Sequence, residues 1–321
     1  MTQSLSGFKA RPLGAVHTRW GPGGGQMLAR NSTNYGKGMH RIDASDVPLA
    51  AHDLLSRLLA TFQAPDYRPP VLPSVALELL ELSRHPDVER SKILGVLEKD
   101  LLIAGQVLKV AQSAMFTTRV AVSTLDQAVS RLGMRTLADI FLQVSVSMRV
   151  FRAPGFDEPM NALRRHSTVA AHLSRSICTR ARLPNDNAFL CGLLHDVGIA
   201  ACIITIAEGP RQERPSFAMA WPAILEAHAS ASRRLAQLWR LPADVEMALA
   251  HHHDPRVGGR IYPLAAALVV ADYLAYEAGC GMESDPSELV FAESARAIRL
   301  SPQDITELRA EAIELCRPDC L

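Results

Sequence analysis

Apolar residues recur at three- and four-residue steps along most of the chain from residue 53 onward, as they do along one face of an α-helix. The clearest stripe comprises Leu101, Leu102, Val107, Leu108 and Ala111. No stretch of useful length alternates apolar and polar residues as a half-buried strand would. The pattern predicts an all-α, multi-helical bundle, with helices over residues 53–62, 75–84, 90–99, 101–113, 125–132, 136–151, 160–181, 187–197, 199–207, 221–239, 243–252, 261–278, 286–299 and 302–316.

Capping and breaking residues mark the ends of several predicted helices. Ser74 and Ser123 stand where N-caps are expected, and Gly133 is placed to end the helix that begins at Leu125. The sequence APGFDEP at residues 153–159 is the best internal linker because it combines Pro, Gly and charged residues. We expect an N-terminal helical half over residues 46–155, a second half over 156–280 and C-terminal helices over 281–321.

The first 45 residues follow a different pattern. They carry a GPGGG run, scattered Ser and Asn and no apolar period, and we interpret them as disordered. Residues 1–42 hold six Lys or Arg and no Asp or Glu. Three interpretations stay open: a flexible or mis-assigned start, since Met27 and Met39 could also begin a chain; a basic arm that contacts a partner; and a transit peptide, which the Gly and Pro content disfavours.

Composition narrows the classes of protein to consider. Apolar residues make up 48% of the chain and aromatic residues 5%, a mix that favours packed helices over sheets. The net charge of +1 gives no global sign of nucleic acid binding. Apolar runs such as residues 199–207 and 264–271 are far shorter than the ~18 residues of a membrane span. With six Cys but no CxxC pair and no secretory h-region, we expect a reduced, cytoplasmic protein that binds no membrane.

The His-Asp (HD) doublet at residues 195–196 is the feature of the sequence whose burial costs the most free energy. His195-Asp196 interrupts the otherwise apolar stretch of residues 190–201. Burying either side chain without a partner costs several kcal/mol, and more when the side chain is charged. A metal ion or other polar groups must therefore meet this doublet.

Residues of metal-ligating types also fall on the apolar faces of other predicted helices. His166 shares its face with Leu163 and Ala170, whereas His172 falls among polar neighbours and is predicted to face water. The same phase argument places three further side chains in the core: His228, His252 and Asp272.

Separate helices would be unlikely to direct such residues into the core independently, so we expect the side chains to converge on one site. Imidazole nitrogens and carboxylate oxygens suit Fe, Mn, Zn, Co or Ni, and a carboxylate can bridge two ions. The sequence therefore predicts a site for one or two divalent metal ions. The alternative is a buried network of His–Asp hydrogen bonds that holds no metal.

The order of these residues resembles the HD superfamily of helical metal phosphohydrolases, over about residues 160–278. In that superfamily, divalent ions serve the hydrolysis of phosphate esters. The resemblance implies that Asp196 bridges two ions and is the catalytic residue if the protein is an enzyme. The implied metal ligands are His166, His195, Asp196, His228, His252, His253 and Asp272.

A closer resemblance, over about residues 66–280, is to the HD-related output domain, HDOD. It is carried by the segments LPSVALELLEL, EKDLLIAGQVLKVAQSAMF, VSTLDQAVSRLGMRTLADI, RRHSTVAAHLSRSI, FLCGLLHDVGIA and HHHDP. The chain has Gln112-Ser113-Ala114 where the family usually has Asn-Ser-Ala. HDOD domains are bacterial signalling modules, and many of them have lost metal ligands and act through protein contacts. This chain keeps every ligand-type position.

Two departures weigh against catalysis of the kind performed by the related HD-GYP diesterases. Those enzymes carry a Lys three residues after the Asp of the doublet, where this chain has Ile199. They also carry a Gly-Tyr-Pro loop after the His pair, and residues 254–263 lack that motif. His253-Asp254-Pro255 matches the family best, so we expect His252 and His253 to form the pair and His251 to lie at the surface.

The HDOD resemblance implies a regulatory output module that binds a signalling protein or a small ligand, with a nucleotide second messenger among the candidates. A divalent-metal site could be retained in it as a structural element. The alternative function is a metal-dependent phosphohydrolase acting on a nucleotide or cyclic dinucleotide. We expect no nucleic acid partner, and the sequence leaves the oligomeric state open.

Overall fold

The computed structural model describes residues 49–72, 74–83, 89–97, 101–113, 116, 124–282 and 286–317. Within these residues the chain forms thirteen α-helices and one two-stranded hairpin, so the all-α prediction is confirmed. The described residues belong to one compact unit, residues 41–321. The predicted disorder of residues 1–45 and the predicted cap at Ser123 lie outside the described residues.

The N-terminal half contains five helices, one of them kinked. Thr124 caps the last of them, its Oγ1 accepting a hydrogen bond from the backbone N–H of Gln127 at 3.1 Å. Gly133 ends the helical conformation that begins at Leu125, as predicted: its φ of 78° and ψ of 160° are not helical, and a second helical segment follows at once, so that α5 is two segments joined at a kink. The helices are α1 (Leu49–Gln63), α2 (Ser74–Ser83), α3 (Arg90–Leu97), α4 (Leu101–Ala111) and α5 (Leu125–Arg149).

The remaining helices and the hairpin follow a short connection in which Ala153 and Phe156 are buried. The hairpin pairs β1 (Arg256–Val257) with β2 (Arg260–Ile261) in antiparallel register. The helices are α6 (Asp157–Arg180), α7 (Ala188–Leu194), α8 (Val197–Glu208), α9 (Phe217–Leu238), α10 (Ala243–Ala250), α11 (Pro263–Glu277), α12 (Glu288–Ala297) and α13 (Pro302–Leu315).

Three apolar clusters hold these elements together. Helices α2 to α5 enclose one that includes Ile93, Val107 and Phe141. A second joins α7, α8 and α9 to α1, and a third joins α11, α12 and α13. Helix α6 contributes to both of the latter clusters, with Leu163 in one and Leu173 in the other. Helix α6, which carries His166, therefore joins the second and third clusters.

One stretch, residues 188–208, is long and apolar enough to cross a membrane by composition, and it comprises α7 and α8. Its most apolar window is 89% buried inside the fold. The apolar character of this stretch is accounted for by its position in the core.

Candidate metal centre

The HD doublet lies at the junction of two helices rather than inside one. His195 ends α7, and Asp196, with φ −99° and ψ 15°, precedes α8. Ser232 of α9 bridges the junction: its Oγ donates to the carbonyl oxygen of His195 at 2.8 Å and accepts from the N–H of Gly198 at 2.9 Å. The backbone groups freed by the break are thus satisfied by a neighbouring helix.

Two glycines flank the doublet and let other helices approach it. A Cβ at Gly192 would lie 2.5 Å from the carbonyl oxygen of Ala170 on α6. A Cβ at Gly198 would lie 2.0 Å from the carbonyl oxygen of His228 on α9. Because no Cβ fits at either position, only glycine lets α6 and α9 bring their histidines to the doublet.

The predicted ligands converge in two sets, and the first lies around His166. Its Nε2 is 3.0 Å from Nε2 of His195 and 3.3 Å from Oδ1 of Asp272. The Oδ2 atom of Asp196 lies 3.3 Å from the His166 Nε2 and 3.4 Å from the His195 Nε2. Four side chains from α6, the helix junction and α11 thus meet in the buried interior.

The second set uses the other oxygen of Asp196. Its Oδ1 lies 3.5 Å from Nε2 of His228 and 3.3 Å from Nε2 of His252. The His228 Nε2 is in turn 3.2 Å from that of His252 and 2.7 Å from Nε2 of His253. One carboxylate therefore faces both sets, one oxygen to each.

Backbone carbonyls set the orientation of four of the five imidazoles. The Nδ1 atoms of His195, His228 and His252 lie 2.8, 2.6 and 2.7 Å from the carbonyl oxygens three residues earlier in the chain. The Nδ1 of His166 lies 2.9 Å from the carbonyl oxygen of Cys280. Because a carbonyl only accepts, each Nδ1 carries a proton, and each ring turns its Nε2 toward the cluster.

The donor set fits metal ions. Facing Nε2 lone pairs repel each other unless a cation or a proton lies between them, and the buried Oδ1 of Asp196 has no hydrogen-bond partner. Two ligands each about 2.1 Å from one ion are roughly 3.0–3.4 Å apart, which matches most of the distances observed. Imidazoles with two carboxylates are the donors that Fe, Mn, Zn, Co and Ni accept.

The pKa shifts show how the protein groups balance charge among themselves. Burial lowers the pKa of His166, but hydrogen bonding and attraction to Asp196 and Asp272 outweigh it and raise that pKa well above its ordinary value. Burial raises the pKa of Asp196, but the charge of His195 and hydrogen bonds from neighbouring imidazoles hold it well below. Burial lowers the pKa of His228 to about 4. Without an ion, the carboxylates thus stay charged, His228 stays neutral, and His166 keeps a proton that a metal ion would have to displace.

The structure brings together every residue that the sequence placed in the site, including both members of the His252–His253 pair. His251 is half-buried and belongs to neither set. Ile199 lies fully buried in an apolar cluster, so the position of the HD-GYP lysine offers no charge here.

The prediction that His172 faces water is wrong. Its ring packs edge-on against Phe189, with centroids 5.1 Å apart, and also contacts Phe116. Its Nε2 atom is buried without a hydrogen-bond partner, and burial lowers its pKa to about 4. The polar neighbours in the sequence indicated an exposed face, but α7 covers that part of α6.

The opening onto the site is small. A pocket of about 40 Å³ reaches His252, His253 and Asp272, and Tyr273 and Val290 help to line it. A water molecule occupies about 30 Å³ of liquid, whereas pockets for drug-sized molecules measure roughly 300–1,000 Å³. Among the described residues, this pocket has room for a water molecule beside the cluster and not for a nucleotide.

Comparison with known proteins agrees with this geometry. A family model described as the HDOD domain matches residues 70–255. The chain belongs to the HDOD family. The resemblance drawn from the sequence motifs is therefore confirmed.

Individual relatives of this HDOD protein are distant. An uncharacterized protein of Treponema pallidum (strain Nichols) is 26% identical over 214 residues, which is 63% of this chain and only 41% of the relative. A crystal structure of an HDOD domain protein of unknown function from Geobacter sulfurreducens matches with a TM-score of 0.62 and 21% identity, covering 82% of this chain and 98% of the other.

A second crystal structure comes from Shewanella amazonensis SB2B, and its protein is provisionally described as a metal-dependent phosphohydrolase. It matches with a TM-score of 0.63 and 20% identity, covering 83% of this chain and 99% of the other. At these identities the two structures show a shared fold, which is that of the helical HDOD domain.

Proposed function

We propose that this HDOD protein is a regulatory module that acts by binding a partner protein or a small ligand, and that its metal centre stabilises the fold rather than turning over a substrate. The observation that carries the proposal is the small size of the pocket at the site, where only about 40 Å³ of space adjoins His252, His253 and Asp272. A phosphohydrolase would need room there for a phosphate ester and its leaving group.

Two sets of side chains would hold the ions. His166, His195 and Asp272 would form one, His228, His252 and His253 the other, with Asp196 shared by both. A bound divalent ion supplies charge compensation for the carboxylates and a Lewis-acid centre. The chain's own contribution is orientation, because the carbonyl–Nδ1 bonds keep the imidazole lone pairs aimed inward.

The missing cationic side chain also supports a binding role. Phosphoryl transfer relies on positive groups that stabilise the developing charge on phosphate oxygens. At the position where HD-GYP enzymes carry lysine, this chain has a buried isoleucine, Ile199, in the apolar core.

The alternative function is a metal-dependent phosphohydrolase, with Asp196 as the catalytic residue. The complete ligand set favours it, and the Shewanella amazonensis protein with the same fold carries that provisional description. A metal-free hydrogen-bond network is disfavoured because it leaves the buried Oδ1 of Asp196 without a hydrogen-bond partner.

Elemental analysis of the purified protein, combined with a turnover assay, tests these functions. We expect Mn, Fe or Zn in the wild type, its loss in Asp196→Ala, and no hydrolysis of nucleotides or cyclic dinucleotides with added Mn or Fe. The control is Asp186→Ala, which removes an exposed carboxylate and should keep the metal. Turnover that disappears in Asp196→Ala would establish the phosphohydrolase instead. A wild type that binds no added metal would refute the metal centre.

A further inference from the structure

A large cavity lies away from the metal centre, between α4, α5 and the beginning of α6. Its volume is about 1010 Å³, and polar side chains line it together with apolar ones. Its size matches the upper end of natural small-molecule sites, roughly 300–1,000 Å³. The metal centre uses none of its lining residues.

The cavity is positively charged. Lys109, Arg152 and Arg164 line it, against a single acidic lining residue among those described, Asp157. Asp157 is also the first residue of α6, so the positive end of that helix dipole lies at the cavity. These charges favour an anionic ligand.

The Gln143 side chain lines the same cavity, but its acceptor atom does not face the open space. Gln143 is 6% exposed, and its Oε1 atom is buried with no hydrogen-bond partner. A ligand in the cavity therefore contacts Gln143 through the other atoms of the side chain.

Apolar side chains complete the lining. Val144, Met148, Phe151 and Met160 lie beside Gln143 along the cavity. Such a surface suits the faces of a flat heterocycle.

We propose that this cavity binds a nucleotide, with its phosphates at Lys109, Arg152 and Arg164 and its base against the apolar wall formed by Val144, Met148 and Phe151. This inference rests on the proposed regulatory function, since it names the class of small ligand that the regulatory module would bind. Helix α6 carries Arg164 and, two residues later, His166, so the cavity and the metal centre share one helix.

Titration calorimetry with three probes tests the proposal: GTP, cyclic di-GMP and inorganic pyrophosphate. We expect at least one nucleotide to bind more tightly than pyrophosphate. In Lys109→Ala/Arg152→Ala, the affinity of that nucleotide should fall by about tenfold or more, since two charge-assisted contacts are lost. The matched control is Lys92→Ala/Arg211→Ala, which removes the same charge from exposed positions outside the cavity and should bind as the wild type does.

Met148→Ala tests the base contact because it removes an apolar side chain from the cavity wall and changes no charge. It should weaken nucleotide binding about fivefold and leave pyrophosphate binding unchanged. A circular dichroism spectrum and a melting curve for each variant establish that it is folded.

Three results would overturn the proposal: no nucleotide binding below about 1 mM, equal affinity in the cavity and control variants, or pyrophosphate binding as tightly as either nucleotide. Metal content is measured separately from nucleotide affinity. The cavity assignment can therefore fail while the metal centre stands, and the reverse.

Discussion

The metal centre and the cavity both have polar side chains within the helical bundle, but they differ in the space that the helices leave around those side chains. At the metal centre, donor atoms of neighbouring side chains lie between 2.7 and 3.5 Å apart, and the pocket beside them measures about 40 Å³. Around Gln143, the helices leave about 1010 Å³. The comparison teaches that helix spacing determines what fits among the side chains: the metal centre has room for ions, and the cavity has room for a molecule the size of a nucleotide.

Glycine position accounts for part of the difference in spacing. Gly192 and Gly198 stand at helix contacts that no Cβ could enter. Gly95 and Gly105, in α3 and α4 of the N-terminal half, have no atom within 4 Å of a Cβ built on them. The close contacts of α6 and α9 with the HD doublet therefore require glycine, whereas among the described residues no neighbouring helix lies close to Gly95 or Gly105.

Removing or restoring the metal should give the largest change in unfolding free energy, and that change should not depend on the residues of the cavity. Adding Mn or Zn to chelator-treated protein, at a free concentration about 1,000 times the dissociation constant, should raise the free energy of unfolding by about 4 kcal/mol. Urea denaturation measures the gain. Lys109→Ala/Arg152→Ala should show the same gain, because its substitutions lie in the cavity. If that variant lost the gain, the two regions would not be independent.

Substituting glycines in the two regions should have opposite effects. Gly198→Ala places a methyl group against the backbone of α9, so we expect a loss of about 3 kcal/mol in unfolding free energy, with loss of bound metal. Gly105→Ala, at an exposed helical position with open space, should raise it by about 0.5–1 kcal/mol. Denaturation curves of both variants measure the two changes in unfolding free energy. If both substitutions changed it by a similar amount in the same direction, glycine position would not explain the difference in helix spacing.

His172 provides the smallest test, on the face of α6 that packs against Phe116 and Phe189. Burial lowers its pKa from 6.5 to about 4. The His172 ring therefore binds a proton at about pH 6.5 in the unfolded chain and only at about pH 4 in the folded chain. The free energy of unfolding therefore falls by about 2 kcal/mol as the pH drops from about 6.5 to about 4. The loss is smaller than the full difference in pKa would give, because the ring keeps some access to water.

Denaturation of His172→Phe against wild type, at about pH 7 and about pH 4.5, measures this loss. The variant keeps an aromatic ring and removes the titration, so its stability should fall less on acidification. An equal fall in both proteins would show that His172 is not the group responsible.

Much of the fold was readable from short-range pattern. The three- and four-residue apolar steps predicted helices in nearly the right places, and the phase of His166, His228, His252 and Asp272 predicted which side chains point inward. Helical phase is a local property, so it needs no knowledge of neighbouring elements.

Other parts of the site could not be predicted from the sequence. The Ser232 hydroxyl that bridges the helix junction, the Cys280 carbonyl that orients His166, and the aromatic cover over His172 all come from residues distant in sequence. Gly192 and Gly198 stood beside the doublet as a visible signal of close approach, but only the packed helices show what approaches them.

The sequence by itself determined that polar groups must meet in the core, because burying each of them alone costs several kcal/mol. Only the tertiary structure decided how they meet: Asp196 with one oxygen toward each set of imidazoles, a narrow opening, and a wide cavity beside Gln143. Distances between helices depend on side chains and backbone far apart in the chain, and a one-dimensional pattern does not contain them.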